Sequence, residues 1–165
     1  MMIFRYWFWV ISILSMVAIS TALIAEYIFD LEPCSMCLKQ RHPYYFILFI
    51  FILFSLIHKF PRIWFYLGAQ LASIYGLFYS IWHVGIEQKI LSGPASCSGG
   101  LSTSESIENL KEQIIGKAVI SCDNVVWSFF GISAATINTF LLVLIFIINA
   151  INIQKYYASK KNTVS

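Results

Sequence analysis

Four stretches of this chain carry no Asp, Glu, Lys or Arg: Tyr6 to Ala25, His42 to His58, Ile63 to Ile86 and Asn124 to Gln154. An α-helix needs about 20 apolar residues to cross the hydrocarbon core of a bilayer. The first, third and fourth stretches reach that length. The second is shorter, and snorkelling of Lys39 and Arg41 at one end and Lys59 and Arg62 at the other extends it. Period-2 alternation is absent, which argues against a β-barrel. Of the 165 residues 59% are hydrophobic and 12% charged, where a soluble domain carries about 25% charged residues. The sequence therefore predicts an all-α integral membrane protein, a single bundle of four transmembrane helices over residues 1–165. The expected spans are 7–27, 42–58, 63–83 and 126–149, with loops at 28–41 and 84–125. The first apolar run is longer than a signal-peptide core and lacks an Ala-x-Ala site, so it reads as a permanent helix. The net charge of +3 is small and dispersed, which argues against nucleic-acid binding.

Charge bias orients the bundle. Arg5, Lys59, Arg62, Lys155, Lys160 and Lys161 fall on one side, with no acidic residue. Lys39, Arg41, Lys89, Lys111 and Lys117 fall on the other, over longer loops, together with all eight acids. Both termini are thus expected in the cytoplasm and both long loops outside it, on the oxidising side of a bacterial inner membrane.

Small residues recur at four-residue spacing in the third span, at Gly68, Ala72, Gly76 and Ser80, which suits close helix packing. Ala18, Ala22 and Ala25 do the same in the first. Aromatic residues near the span ends (Tyr6, Trp7, Trp9, Tyr44, Tyr45, Trp64, Trp82 and Trp127) read as an interfacial belt. In the second loop Ser92-Gly93-Pro94 marks a turn. Ser104 to Val119 reads as a short amphipathic helix capped by Ser104. Its apolar face, Ile107, Leu110 and Ile114, suits the membrane surface or the bundle top equally.

All four cysteines lie in the two outer loops: Cys34 and Cys37 as Cys-Ser-Met-Cys in the first, Cys97 and Cys122 in the second. A zinc site normally pairs one such motif with a second, or with a Cys/His doublet. Cys97 and Cys122 are too far apart for that and no His doublet exists, so the sequence assigns no metal. Redox chemistry fits better. Glu32-Pro33-Cys34 leads into the second helix, and Cys37 falls in its first turn, where backbone N–H dipoles favour a thiolate. Arg41 lies one helical turn beyond Cys37, and its fixed cation is expected to lower the Cys37 pKa and to hold an anionic or carbonyl-bearing acceptor. Pro43 is expected near the helix start, where its missing N–H is tolerated. Cys97 and Cys122 suit a structural disulfide or a mobile pair exchanging with Cys34 and Cys37 by thiolate attack. Four cysteines allow three pairings. No Gly-x-Gly-x-x-Gly nucleotide fingerprint is present, so the acceptor open to a small bundle is a lipid-soluble quinone, with His42 lining its site beside Arg41. His42 and His83, at the outer span ends, also admit a small membrane cytochrome. A four-span scaffold with structural disulfides is the non-enzymatic alternative.

These residues resemble the disulfide bond formation protein B (DsbB) family of bacterial inner membranes. The resemblance covers nearly the whole chain: four spans, Pro33-Cys34-x-x-Cys37-x-x-x-Arg41, Pro43-Tyr44-Tyr45, Gly85-x-Glu87-Gln88, Gly93-Pro94-x-Ser96-Cys97-Ser98, and Cys122 before the last span. It implies a membrane protein-thiol oxidase with Cys34, Cys37, Cys97 and Cys122 as catalytic residues. A reduced periplasmic DsbA-like, thioredoxin-fold partner would attack Cys97. Cys122 would then attack Cys34, and Cys37 would leave as a thiolate against a quinone held by Arg41. The Pro-Tyr-Tyr and Gly-Pro-x-Ser-Cys wording resembles proteobacterial members and points to ubiquinone, with menaquinone the other acceptor. A DsbA-type partner is itself a strong oxidant, near about −120 mV, so the membrane quinone pool supplies the drive. The Cys-x-x-Cys precedes the loop pair, unlike the order in vitamin K epoxide reductase relatives.

Overall fold

The computed structural model describes residues 2–57, 61–94, 97, 122, 125 and 127–164. Four long helices follow one another: α1 (Met2–Tyr27), α2 (Ser35–Leu56), α3 (Ile63–Glu87) and α4 (Ala134–Val164). α1 and α4 contain apolar segments, Tyr6–Tyr27 and Ala134–Lys161, long enough to cross a bilayer. Exposed apolar side chains cover the outside: Ile13 and Met16 on α1, Phe49 and Ile52 on α2, Leu71 and Phe78 on α3, Phe140 and Leu144 on α4. So much contiguous apolar surface has no place in water and suits a lipid solvent.

Small residues set the packing of α2, α3 and α4. A Cβ on Gly76 would lie 2.9 Å from Pro43 Cγ and 3.0 Å from Leu142 Cδ1, so only glycine lets three helices meet there. Gly68 packs in the same way under Ile50 and Phe46 of α2. The stripe expected for close approach is used for it. Pro43 differs from expectation. Because α2 starts at Ser35, Pro43 sits inside the helix, and its missing N–H leaves a backbone carbonyl one turn earlier without its helical partner.

Within the bundle, several buried polar groups pair with one another. At the end holding the N-terminus, Trp7 Nε1 donates to Asn149 Oδ1 at 3.3 Å. Asn149 Nδ2 donates to Tyr66 O at 2.8 Å and Gln70 Oε1 at 2.7 Å. Trp7 and Tyr44 therefore depart from the expected interfacial belt. Both are buried because each has a polar partner inside, Asn149 and Asn138. Trp9 and Trp64 do face outward.

The last helix begins later than the expected 126. Ser128–Phe129 pairs antiparallel with Ile132–Ser133, as strands β1 and β2. Phe130 (φ 51°) and Gly131 (φ 79°) form the turn, and two central residues with positive φ are what a two-residue hairpin requires. Ser133 then caps α4, its Oγ accepting the Thr136 N–H at 3.2 Å. The amphipathic segment expected at Ser104 to Val119 lies outside the described residues.

Candidate functional site

At the far end of the bundle from Trp7, Cys34 is the N-cap of α2, and its Sγ accepts the Cys37 N–H at 3.3 Å. Cys37 thus sits in the first helical turn, its Sγ 2.9 Å from Cys34 Sγ, and both are free cysteines. Cys97 and Cys122 form a disulfide. Two hydrogen bonds hold it, Cys97 N–H to Pro94 O at 2.7 Å and Cys122 N–H to Cys97 O at 3.1 Å. Gly93 lets the loop close in: a Cβ there would lie 3.0 Å from Cys97 Cβ. The two pairs share one buried cluster with Met36 and Ile86. Ser35, the residue after Cys34, places its Oγ 3.2 Å from Cys97 Sγ and 3.8 Å from Cys122 Sγ. Residues 60 or more positions apart in the chain thus meet at one helix start.

His83 is the residue that sequence reasoning missed. Placed by the sequence at an outer span end, it is only 3% exposed. Its Nε2 lies 3.6 Å from Cys34 Sγ and its Nδ1 2.8 Å from Gln40 Nε2. Glu87, one turn on, places Oε1 3.9 Å from His83 Nε2 and accepts from Ser133 Oγ at 2.6 Å. Behind Gln40 the chain continues: Asn138 Nδ2 donates to Gln40 Oε1 at 3.1 Å, and the Tyr44 hydroxyl donates to Asn138 Oδ1 at 2.5 Å. The donors run one way, from Tyr44 through Asn138 and Gln40 to His83 Nδ1. That order leaves the histidine proton on Nε2, facing Cys34.

This surrounding decides which sulfur carries charge in the dithiol. A hydrogen bond from Cys37 lowers the Cys34 pKa from 9.0 to about 4, and His83 adds to the effect against the cost of burial. Cys37 is pushed up, first by its hydrogen bond to Cys34, then by burial and by the Cys34 charge. The expected lowering of the Cys37 pKa by Arg41 is present but outweighed in this state. Cys34 holds the N-cap position and the histidine. The Arg41 guanidinium turns to α1, with Nη1 2.5 Å from Glu26 Oε2 and Nη2 3.4 Å from Ala22 O.

α1 packs on α2 and only sparsely on α4. Between them opens a largely apolar cavity of about 400 Å³, lined by Ala18, Ala22 and Ala25 of α1, by Cys37, Gln40, Arg41 and Tyr44 of α2, and by His83, Glu87, Trp127 and Asn138. The alanines expected for helix packing line this cavity, and Ala18 also packs against the core. A cavity of this size falls in the usual range for small-molecule sites, about 300–1,000 Å³. His42 is not among its lining residues. It is exposed, with Nδ1 3.4 Å from the Tyr75 hydroxyl, so it and the inward-facing His83 do not form a pair of axial ligands.

A relative from Rickettsia prowazekii (strain Madrid E), described as an uncharacterised protein, is 28% identical over 140 residues, 84% of this chain and 81% of the relative. No solved structure matches the chain. The family model for Disulfide bond formation protein DsbB matches residues 4–152. The chain belongs to the DsbB family and is an all-helical, four-span membrane protein.

Proposed function

We propose that the protein oxidises the dithiol of a periplasmic, DsbA-like thioredoxin-fold partner and delivers the electrons to a membrane quinone, ubiquinone with menaquinone as the alternative. The family makes the chain a disulfide-related thiol oxidoreductase of the membrane. The observation that carries the finer reading is the shared cluster: both cysteine pairs pack together, and Cys37 of that cluster lines, with Arg41, an apolar cavity.

The overall reaction takes two electrons and two protons from the partner's dithiol and leaves the partner's disulfide and a quinol. A partner thiolate attacks Cys97 and breaks the Cys97–Cys122 bond. The Cys122 thiolate attacks Cys34 of an oxidised Cys34–Cys37 pair, and Cys37 leaves as a thiolate. With Cys34 bound to Cys122, the two largest influences of Cys34 on Cys37, its hydrogen bond and its charge, are gone. Arg41 then acts on Cys37 unopposed by them. The partner's second thiol resolves the mixed disulfide and frees Cys97. Cys97 attacks Cys122, restores the loop disulfide and leaves Cys34 and Cys37 reduced. A quinone in the cavity supplies the two-electron sink through which that pair is reoxidised. Cys97 and Cys122 are both buried, so part of the loop must move for the partner to reach them.

The cytoplasmic placement of both termini and the periplasmic placement of loops 28–41 and 84–125 follow from the charge bias, within one integral membrane domain of residues 1–165. The test is Cys37→Ser. It is expected to abolish quinone reduction by the reduced partner while the protein still inserts in the membrane, and unchanged turnover would overturn the relay.

A further inference from the structure

Cys34 Sγ, Cys37 Sγ and His83 Nε2 all lie within 4.8 Å of one another. We propose that in the dithiol state these three side chains form a site for a thiophilic divalent cation of the zinc class, absent when the pair is oxidised. It rests on reading Cys34 and Cys37 as a reducible pair.

The distances support a tetrahedral centre. Zinc binds thiolate sulfur at about 2.3 Å and imidazole nitrogen at about 2.0–2.1 Å. Those bond lengths set a sulfur-to-nitrogen edge of about 3.6 Å and a sulfur-to-sulfur edge of about 3.8 Å. Cys34 Sγ and His83 Nε2 are already 3.6 Å apart. The two sulfurs are 2.9 Å apart and must separate by a little under 1 Å. Cys37 lines the cavity, which gives its side chain room to do so. Two thiolates neutralise a divalent cation, and binding releases the Cys37 proton. The fourth position is left to a water from the cavity that Cys37 lines.

The groups behind His83 can hold it in the orientation a metal needs. A metal-bound imidazole normally donates its other N–H to a fixed acceptor. Gln40 meets His83 Nδ1 at 2.8 Å and is itself held by Asn138. Reversing the Gln40 and Asn138 amides turns the Gln40 oxygen toward Nδ1 and leaves the Nε2 lone pair facing the sulfurs. A bound cation would hold the thiolate electron pairs that form the Cys34–Cys37 bond, so it would slow reoxidation. Two-electron oxidation would form the disulfide and expel it.

The Cys-x-x-Cys supplies two of the three ligands. The third ligand is 46 residues beyond Cys37 and arrives from α3.

The probe is cobalt(II), added to full-length protein in detergent with Cys97→Ser and Cys122→Ser, so that one pair remains. The reduced protein is expected to bind one equivalent, with thiolate-to-cobalt charge-transfer and tetrahedral ligand-field bands. Oxidation should remove the bands. His83→Gln should weaken binding by more than about tenfold, the scale set by second-shell losses alone. His83→Cys should restore tight binding with stronger charge-transfer, which separates ligand loss from misfolding. Absence of the bands, their persistence after oxidation, or equal affinity in His83→Gln would overturn the site. Quinone-linked turnover of the unsubstituted protein without metal keeps the two readings apart. Turnover without cobalt bands overturns the site alone, and bands without turnover overturn the relay alone.

Discussion

The charge on Cys34 fixes how the potential of the Cys34–Cys37 pair varies with pH. Its pKa falls from 9.0 to about 4 in the dithiol state, while Cys37 is raised and stays protonated. Reducing the disulfide therefore consumes two electrons and one proton between about pH 4 and about pH 9. A tenfold change in equilibrium constant is about 30 mV for a two-electron couple, so the midpoint should fall by about 30 mV per pH unit. Two ordinary thiols would take up two protons and give about 60 mV. The sign follows from the depressed pKa. Thiolate formation favours the dithiol increasingly as pH rises from about 4, fully above about 9, and the gain is lost as pH falls through about 4. At neutral pH the charge on Cys34 therefore makes the disulfide more oxidising than one between two ordinary thiols. The perturbation is His83→Ala, which removes the Nε2 that lies 3.6 Å from Cys34 Sγ. It should raise the Cys34 pKa and make the pair more reducing near neutral pH. The assay equilibrates the Cys97→Ser, Cys122→Ser protein with dithiothreitol redox buffers from about pH 5 to about pH 8 and counts free thiols. A slope of about 60 mV across that window, or no change on His83→Ala, would refute the reasoning.

Other consequences follow from the same contacts. Arg41→Met should lower kcat/KM for quinone by about 10- to 100-fold, the loss of a charge-assisted hydrogen bond, and steady-state turnover against quinone concentration measures it. Gly76→Val should destabilise the bundle by about 1–3 kcal/mol, because even its Cβ would meet Pro43 and Leu142 at 2.9 and 3.0 Å; thermal unfolding in detergent reads this. Asn149→Leu strands the Trp7 Nε1 and Gln70 partners at the opposite end. It should cost about 1–3 kcal/mol and lower Tm while leaving the partner-oxidation rate unchanged.

The helices and the cysteine chemistry were legible because both are local. Uncharged runs announce four helices, and Pro-Cys-x-x-Cys-x-x-x-Arg announces a helix start with two thiols and a cation on it. What escaped depends on tertiary direction. His83 lies 49 residues from Cys34, and nothing in Trp-His-Val reveals that this histidine faces inward. The one-turn spacing of His83 and Glu87 was the available signal. Tyr44 and Trp7 look like any interfacial aromatic until Asn138 and Asn149 are brought to them by α4. Pro43 was expected near the helix start, but with Cys34 as the cap and Ser35 the first helical residue it falls inside the helix. The hairpin at Ser128–Ser133 was hidden inside an uncharged stretch, and only Gly131, with Phe130 beside it, hinted at a turn.

The most direct test of the relay is the rate of thiol loss from a reduced DsbA-like partner, with purified protein and with or without quinone. The relay predicts many turnovers per molecule with ubiquinone or menaquinone and at most stoichiometric oxidation without either. No oxidation with either quinone would contradict it and leave the four cysteines as structural staples.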